Sequence, residues 1–204
     1  MNRLASSSDR PYRSRLREEQ TVATRGRVLD ATVRVMAGGA AFVSIPAVAR
    51  EAGVSVPTIY RHFGSKRDLL TAVYPHIVRR AGLDEMVAPR SLPELRDGVR
   101  ALFSRVESFD QLARAAMASP ASEEARRINM PDRIEMSRAF ANSIHPNLAR
   151  PDRDRLARLM VILLSSSALR LWRDHLGASI DQAADDIDWI VRTAVAASNL
   201  ETGS

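Results

Sequence analysis

The chain has 204 residues, of which 45% are hydrophobic and none is cysteine. This length and composition suit one or two globular domains, and the lack of cysteine excludes disulfides, thiolate metal sites and a thiol nucleophile. The longest apolar stretch, residues 159–164, is far shorter than the ~20 residues of a membrane span, so we expect a soluble, cytoplasmic protein. Leu, Ala and Arg outnumber Val, Thr and Tyr, which predicts an all-α fold.

The net charge of +6 is unevenly distributed along the chain. Residues 1–83 carry 14 basic and 6 acidic side chains, which leaves +8, whereas residues 84–204 carry 16 basic and 18 acidic ones, which leaves −2. A basic first part on a near-neutral remainder is typical of a small domain that binds a polyanion such as DNA. A membrane surface would attract the same charge.

The first 82 residues predict a basic arm followed by four helices. Residues 1–20 are polar, charged and aperiodic, and we expect them to be disordered. Beyond them, apolar residues recur at helical spacing in segments that begin at a capping residue or end at glycine. The predicted helices are 24–37, 45–52, 56–62 and a longer one from Ser65 to about Gly82.

The rest of the chain predicts further helices. Ser91 and Glu94 form a capping-box pattern for a fifth helix that reaches about residue 107. Pro120, Pro131 and Pro146 divide the segment 109–145 into two or three shorter helices, because proline interrupts the helical hydrogen bonds. Two long amphipathic helices are predicted at 152–175 and 180–199, and we expect them to form a four-helix interface between two copies of the chain. Its predicted apolar residues are Leu156, Leu163, Ile180, Ile187, Ile190, Val191 and Ala194.

The segment AREAGVSVPTIYRHF predicts a helix-turn-helix, in which Gly53 permits the sharp turn. Side chains of its second helix suit the major groove of double-stranded DNA, since Arg61 can bond guanine and Thr58 can touch a thymine methyl. We also predict that Lys66, at the start of the next helix, binds phosphate together with the backbone N–H groups there. The predicted DNA contacts are Arg25, Ser44, Ser55, Val56, Pro57, Thr58, Tyr60, Arg61, His62 and Lys66.

From Arg25 to Leu70, and above all in SIPAVAREAGVSVPTIYRHFGSKRDLL, the sequence resembles the DNA-binding domain of the TetR family of bacterial transcriptional regulators. Beyond the predicted disordered arm at 1–20, the resemblance implies a helix-turn-helix domain at 21–66 and a helical effector-binding and dimerisation domain at 67–204. Val56 and Pro57 stand where the family often has Lys-Gly, so the operator sequence cannot be taken over from the family.

The leading functional hypothesis is a homodimeric repressor of a palindromic operator that is released by a small-molecule effector. Residues 92–176 have no concentrated charge, which favours an apolar or neutral effector. The alternatives are an activator or a nonspecific DNA-coating protein of the same fold, and a helical adaptor whose basic domain docks an acidic partner. We do not expect an enzyme, a cofactor or a metal site, because no catalytic set, ligand spacing or phosphate loop is present in a specific pattern.

Large flexible apolar side chains and a few polar ones in the C-terminal part are the candidates for effector binding, since such groups line small-molecule cavities. Core packing is the competing interpretation for each of them. The predicted set is Tyr74, Phe103, Phe109, Met117, Met136, Phe140, Asn142, His145 and Trp172.

Overall fold

A computed structural model describes residues 9–202 of the chain and the side chains of residues 15–198. This range contains helices and no β-strand, which confirms the all-α class. None of its helices is long and apolar enough to cross a bilayer. The helices are α1 (Asp9–Ala37), α2 (Ile45–Ala52), α3 (Val56–Phe63), α4 (Lys66–Arg80), α5 (Leu92–Glu107), α6 (Gln111–Ala118), α7 (Ala121–Ile128), α8 (Met130–Ile144), α9 (Arg150–Leu163), α10 (Ser166–Arg170) and α11 (Ile180–Thr202).

The first helix is much longer than its apolar pattern predicts. α1 begins at Asp9, so the predicted disorder is wrong for residues 9–20, while residues 1–8 lie outside the described part of the chain. Side chains 15–23 are all exposed, so no buried face imposes an apolar periodicity on this part of α1. It stays helical because Arg, Leu, Glu and Gln are good helix formers and extend a helix that is already nucleated.

Local signals placed the next three helices well. Ser44, Ser55 and Ser65 are the N-caps of α2, α3 and α4, as their positions in the sequence predict. Gly53 and Gly64 follow α2 and α3 with φ angles of 65° and 76°, a conformation that glycine adopts without strain. All three helices therefore begin at a serine cap, and α2 and α3 also end at a glycine with positive φ.

The predicted helix 152–175 is wrong, because α9 ends at Leu163. Ser165 has extended backbone angles, and its side chain accepts a hydrogen bond from the Ala168 N–H, so it caps the separate helix α10. α10 continues into a π-helical turn at Leu171–His175. Apolar residues continue on both sides of the break, which is why periodicity did not reveal it.

The buried side chains form two hydrophobic clusters that do not follow chain order. We call the first the N-core; it joins α1–α4 to α6 and α7, through Ala113, Ala116, Ala121 and Ala125. The second, the C-core, joins α5, α8, α9, α10 and α11 around Phe103, Met160 and Ile187. α6 and α7 therefore fold back from the end of α5 and pack against α1 and α4.

Candidate nucleic-acid interface

α2 and α3 are joined by the tight turn that a helix-turn-helix needs. Gly53 takes left-handed backbone angles at the end of α2, and its N–H donates to the Arg50 carbonyl at 3.3 Å. The Val54 N–H donates to the Ala49 carbonyl at 3.0 Å, so the last carbonyls of α2 are paired. α3 therefore leaves the turn in a fixed direction.

Helical spacing divides α3 into an inward and an outward face. Ile59 and Phe63 are buried in the N-core, and Val56, three residues before Ile59, packs partly against the same core. Val56, a predicted DNA contact, is half-buried, because the same spacing that buries Ile59 turns it toward the core. The outward face consists of Pro57, Tyr60 and Arg61, and these three side chains are exposed.

Ser55 and Thr58 are already bonded to one another at the start of α3. The Ser55 side chain accepts from the Thr58 N–H at 3.3 Å, and the two hydroxyl oxygens lie 2.9 Å apart. Thr58 is half-buried. A DNA contact by either hydroxyl would share or exchange this bond, so both residues also serve to start the helix.

Arg25 ties α1 to the end of α3. Its Nη1 donates to the His62 carbonyl at 2.7 Å, and its guanidinium carbon lies 4.2 Å from the centre of the Phe63 ring. Burial first, and then the positive charges of Arg61 and Arg25, lower the pKa of the His62 imidazole below its ordinary value. This shift favours the neutral imidazole, which offers no charge to a phosphate.

The basic side chains at the edge of the motif differ in their partners. Lys66 Nζ lies 2.9 Å from Glu124 Oε1 on α7, so the predicted phosphate ligand forms an ion pair between the helix-turn-helix and the downstream helices. Arg61 on α3 and Arg67 on α4 are exposed, and neither forms an ion pair within residues 15–198. Arg67 is not among the predicted DNA contacts, although its position next to Lys66 at the start of α4 could have indicated one.

Ser44 marks the start of α2 without bonding to it through its side chain. It has extended backbone angles and is half-buried, and its hydroxyl makes no capping hydrogen bond. Phe42, two residues earlier, is 63% exposed and lies 5.8 Å from Lys66 Nζ, measured to the ring centre. No sequence pattern pointed to this exposed aromatic side chain.

The predicted effector residues do not form one pocket. Met136 and Phe140 line a cavity of about 310 Å³ between α5, α8 and residues 83–89, where Gly98 leaves room for Pro89. Phe109 and Met117 line a separate cavity of about 320 Å³ between α5, α6 and α10. The remaining members of the set line neither of these two cavities: Tyr74, Phe103, Asn142, His145 and Trp172.

Three of those five fit the packing interpretation. Phe103 is fully buried, and the centres of its ring and the Trp172 ring lie 6.2 Å apart. Tyr74 is half-buried beside the Arg133 guanidinium at 5.7 Å. Asn142 is exposed on α8, whereas His145 is half-buried, and its buried Nδ1 has no hydrogen-bond partner within the described chain.

Polar contacts link the helix-turn-helix to the downstream helices. Asp30 on α1 accepts hydrogen bonds from Arg80 at 3.0 Å and pairs with His76 at 2.8 Å, and Arg80 also reaches Asp110 at 3.2 Å. The buried Asn129 side chain donates to the Leu70 carbonyl on α4 at 3.3 Å. A displacement of α6 or α7 would therefore be felt at α1 and α4.

Comparison with known proteins gives consistent matches. The profile of the bacterial regulatory proteins of the tetR family matches residues 28–73. The HTH-type transcriptional regulator BetI of Brucella anthropi is 27% identical over 125 residues, which make up 61% of this chain and 64% of that protein. An uncharacterized HTH-type transcriptional regulator of Mycobacterium tuberculosis is 28% identical over 127 residues, or 60% of this chain and 54% of that one. The chain thus spans less than two thirds of the length of these curated relatives.

Solved structures share the fold. The crystal structure of a TetR-like transcriptional regulator from Rhodococcus sp. RHA1 matches with a TM-score of 0.52 at 19% identity, and the match covers 85% of this chain and 96% of that one. A likeness at this identity concerns the fold alone. Together with the profile match over residues 28–73, it shows that the chain carries the helix-turn-helix domain of the bacterial regulatory proteins of the tetR family within a TetR-like all-α fold.

Proposed function

We propose that this regulator is a homodimeric repressor that binds a palindromic operator and releases it when a small molecule binds among its downstream helices. The observation that carries the DNA-binding part is the outward face of α3, where Pro57, Tyr60 and Arg61 are exposed. A guanidinium on the exposed face of such a helix can make two hydrogen bonds to a guanine edge. Tyr60 can position the helix by donating to a phosphate.

Exposed apolar side chains on α9 and α11 support a dimer. Ile162 and Trp189 are 64% and 68% exposed, and Leu159 is 36% exposed. Large apolar side chains left exposed favour an interaction surface, and a twofold dimer would cover the same residues on both copies of the chain. The predicted interface is wrong for Leu156, Ile187 and Val191, which are buried in the C-core of a single chain.

The dimer gives the repressor its geometry. Two recognition helices must lie about 34 Å apart, or a multiple of that distance, to enter successive major grooves on one face of DNA. An effector acts only through its different affinities for the DNA-bound and released arrangements, and a typical coupling of about 1–3 kcal/mol weakens DNA binding roughly 5–150-fold. The contacts of α6 and α7 with α1 and α4 offer the physical route for that coupling.

The proposal is tested by fluorescence anisotropy with the intergenic DNA beside the gene of this protein, at physiological salt. We expect binding at least about a thousandfold tighter than to a scrambled duplex of equal length, a footprint with twofold symmetry, and transcription in vitro that falls as protein is added. Equal affinity for both duplexes would contradict a specific operator. A rise in transcription would show an activator of the same fold.

A further inference from the structure

The cavity between α5, α6 and α10 has a mainly apolar wall. Its volume is about 320 Å³, the size at which small-molecule sites begin. We call it the α6 cavity. Val106, Phe109, Met117 and Leu169 supply its large apolar side chains.

The same cavity is lined by an excess of positive charge. Three arginines, Arg114, Arg170 and Arg173, line it with one carboxylate, Glu107, which leaves two positive charges. Arg173 lies 3.7 Å from Glu107 and 2.6 Å from its neighbour Asp174, so its charge is balanced. The excess therefore rests on Arg114 and Arg170.

Arg114 and Arg170 have only neutral hydrogen-bond partners within the described residues. Arg114 Nη1 donates to the Glu107 carbonyl at 2.9 Å, and Arg170 Nη2 donates to the Ser167 hydroxyl at 3.3 Å. Neither guanidinium has a carboxylate within 4.0 Å in this part of the chain. Two donors with spare N–H groups thus line one apolar cavity.

Arg170 bears the larger electrostatic cost. It is half-buried, and burial lowers the pKa of its guanidinium, as does the nearby charge of Arg126, while Asp174 opposes the change. A partly desolvated cation among other cations gains from a bound anion, because the anion restores the charge balance that water provides elsewhere. Guanidinium groups match the planar fork of a carboxylate especially well.

We propose that the α6 cavity binds an amphipathic carboxylate, with its carboxylate on Arg114 and Arg170 and its hydrocarbon body against Val106, Phe109, Met117 and Leu169. The inference rests on the proposed function, since it names the chemical class of the effector. It differs from the expectation of an apolar or neutral effector, which was based on the lack of concentrated charge along residues 92–176. The fold brings together arginines that are up to 59 positions apart, which the linear charge pattern could not show.

The position of the cavity explains how its ligand reaches the DNA-binding helices. Gln111, Arg114 and Met117 of α6 line the cavity, while Ala113 and Ala116 of the same helix are buried in the N-core. α6 packs directly against α1. A ligand that moves α6 therefore acts on α1 without a further intermediate.

The test uses decanoate and decan-1-ol, which share a ten-carbon chain and differ in charge, with binding measured by isothermal titration calorimetry on the full chain. We expect decanoate to bind at least about tenfold more tightly than the alcohol. Arg170→Gln and the exposed Arg114→Gln should each weaken decanoate about tenfold or more and leave the alcohol unchanged. Arg127→Gln, which removes the same charge from an exposed residue of α7 that lines neither cavity, is the control and should change neither affinity.

Equal affinity for the acid and the alcohol, or decanoate binding that neither arginine substitution weakens, would overturn the proposal. Circular dichroism melting confirms that each variant is folded. Anisotropy with operator DNA and saturating decanoate then separates the two proposals. Arginine-dependent decanoate binding that leaves DNA affinity unchanged supports the site and overturns effector release, whereas intact operator binding without decanoate binding overturns the site alone.

Discussion

The N-core and the C-core are built by different means. In the N-core, the short helices α2 and α3 are bounded by serine caps and by glycines with positive φ, and Ile59 and Phe63 point inward at helical spacing. In the C-core, long amphipathic helices pack around Phe103, Met160 and Ile187. The first arrangement is determined largely by helix caps and turns, whereas the second depends on which apolar helix faces pack against each other.

α6 and α7 do not fit a division of the two cores by chain order, because they follow α5 and yet pack with the N-core. Their buried residues are small, with Ala113, Ala116, Ala121 and Ala125 lying against α1 and α4. Small side chains allow close helix approach, but alanine also occurs on exposed faces. The division of the chain at residue 66 stays a prediction, and the N-core extends across it.

The largest effect is expected from a charge in the C-core. Ile187→Asp places a carboxylate where the side chain is fully buried, and we expect a loss of at least about 4 kcal/mol of stability and of the folded C-terminal helices. Trp189→Asp, two residues away on the exposed side of α11, should leave the fold intact and give a monomer. Thermal melting and light scattering distinguish the two outcomes. A folded Ile187→Asp chain, or a Trp189→Asp chain that stays dimeric, would contradict this account.

Overpacking α6 tests whether it belongs to the N-core. Ala116 is fully buried between α6 and α1, so Ala116→Leu should cost about 1–3 kcal/mol and also weaken DNA binding, because it displaces α1. Ala101→Leu on the exposed face of α5 is the matched control and should be close to neutral. Urea denaturation and anisotropy measure the two effects. A normal DNA affinity in a destabilised Ala116→Leu protein would show that α6 does not set the position of α1.

Arg61→Ala should change which base the regulator prefers. The loss of one base contact costs about 1–3 kcal/mol at a single operator position. Arg67→Ala removes another exposed guanidinium, from the start of α4. We expect it to weaken binding to all DNA sequences alike and to lower the slope of log affinity against log salt concentration by about one unit. Selection from a random duplex library separates the two. Unchanged base preference for Arg61→Ala would show that Arg61 does not contact a base.

The smallest effect is expected from the ion pair between the two regions. Glu124→Gln removes the partner of Lys66, so Lys66 becomes available to a phosphate. The pair is about one-third exposed, and we expect DNA binding to tighten by about 1 kcal/mol or less. Glu123→Gln removes the same charge from a residue that pairs with Arg126 instead, and serves as the control. Equal changes for both variants in a salt titration would indicate a general charge effect, and a Lys66→Ala background should abolish the specific one.

The bounds of the helices in the helix-turn-helix could be predicted because the signals that set them act within one helical turn. Ser55 bonds to Thr58, and Gly53 takes a positive φ, whatever the rest of the chain does. The partners of Arg25 and Lys66 could not be predicted, because His62 and Glu124 are brought to them by packing. Val56 was predicted to contact DNA, although its three-residue spacing to Ile59 already indicated the inward side of α3.

The sequence by itself determined the all-α class, the helix-turn-helix and its resemblance to the TetR family, because caps, glycines and apolar spacing are short-range properties. It did not determine the end of α9 at Leu163, the grouping of α6 with α1 or the placement of Arg114 and Arg170 around one cavity. Those features depend on contacts between residues that are distant in the chain. The local sequence is compatible with many pairings of apolar helix faces and does not distinguish among them. Only the tertiary structure chooses among them, because the choice is made by how well whole faces pack together.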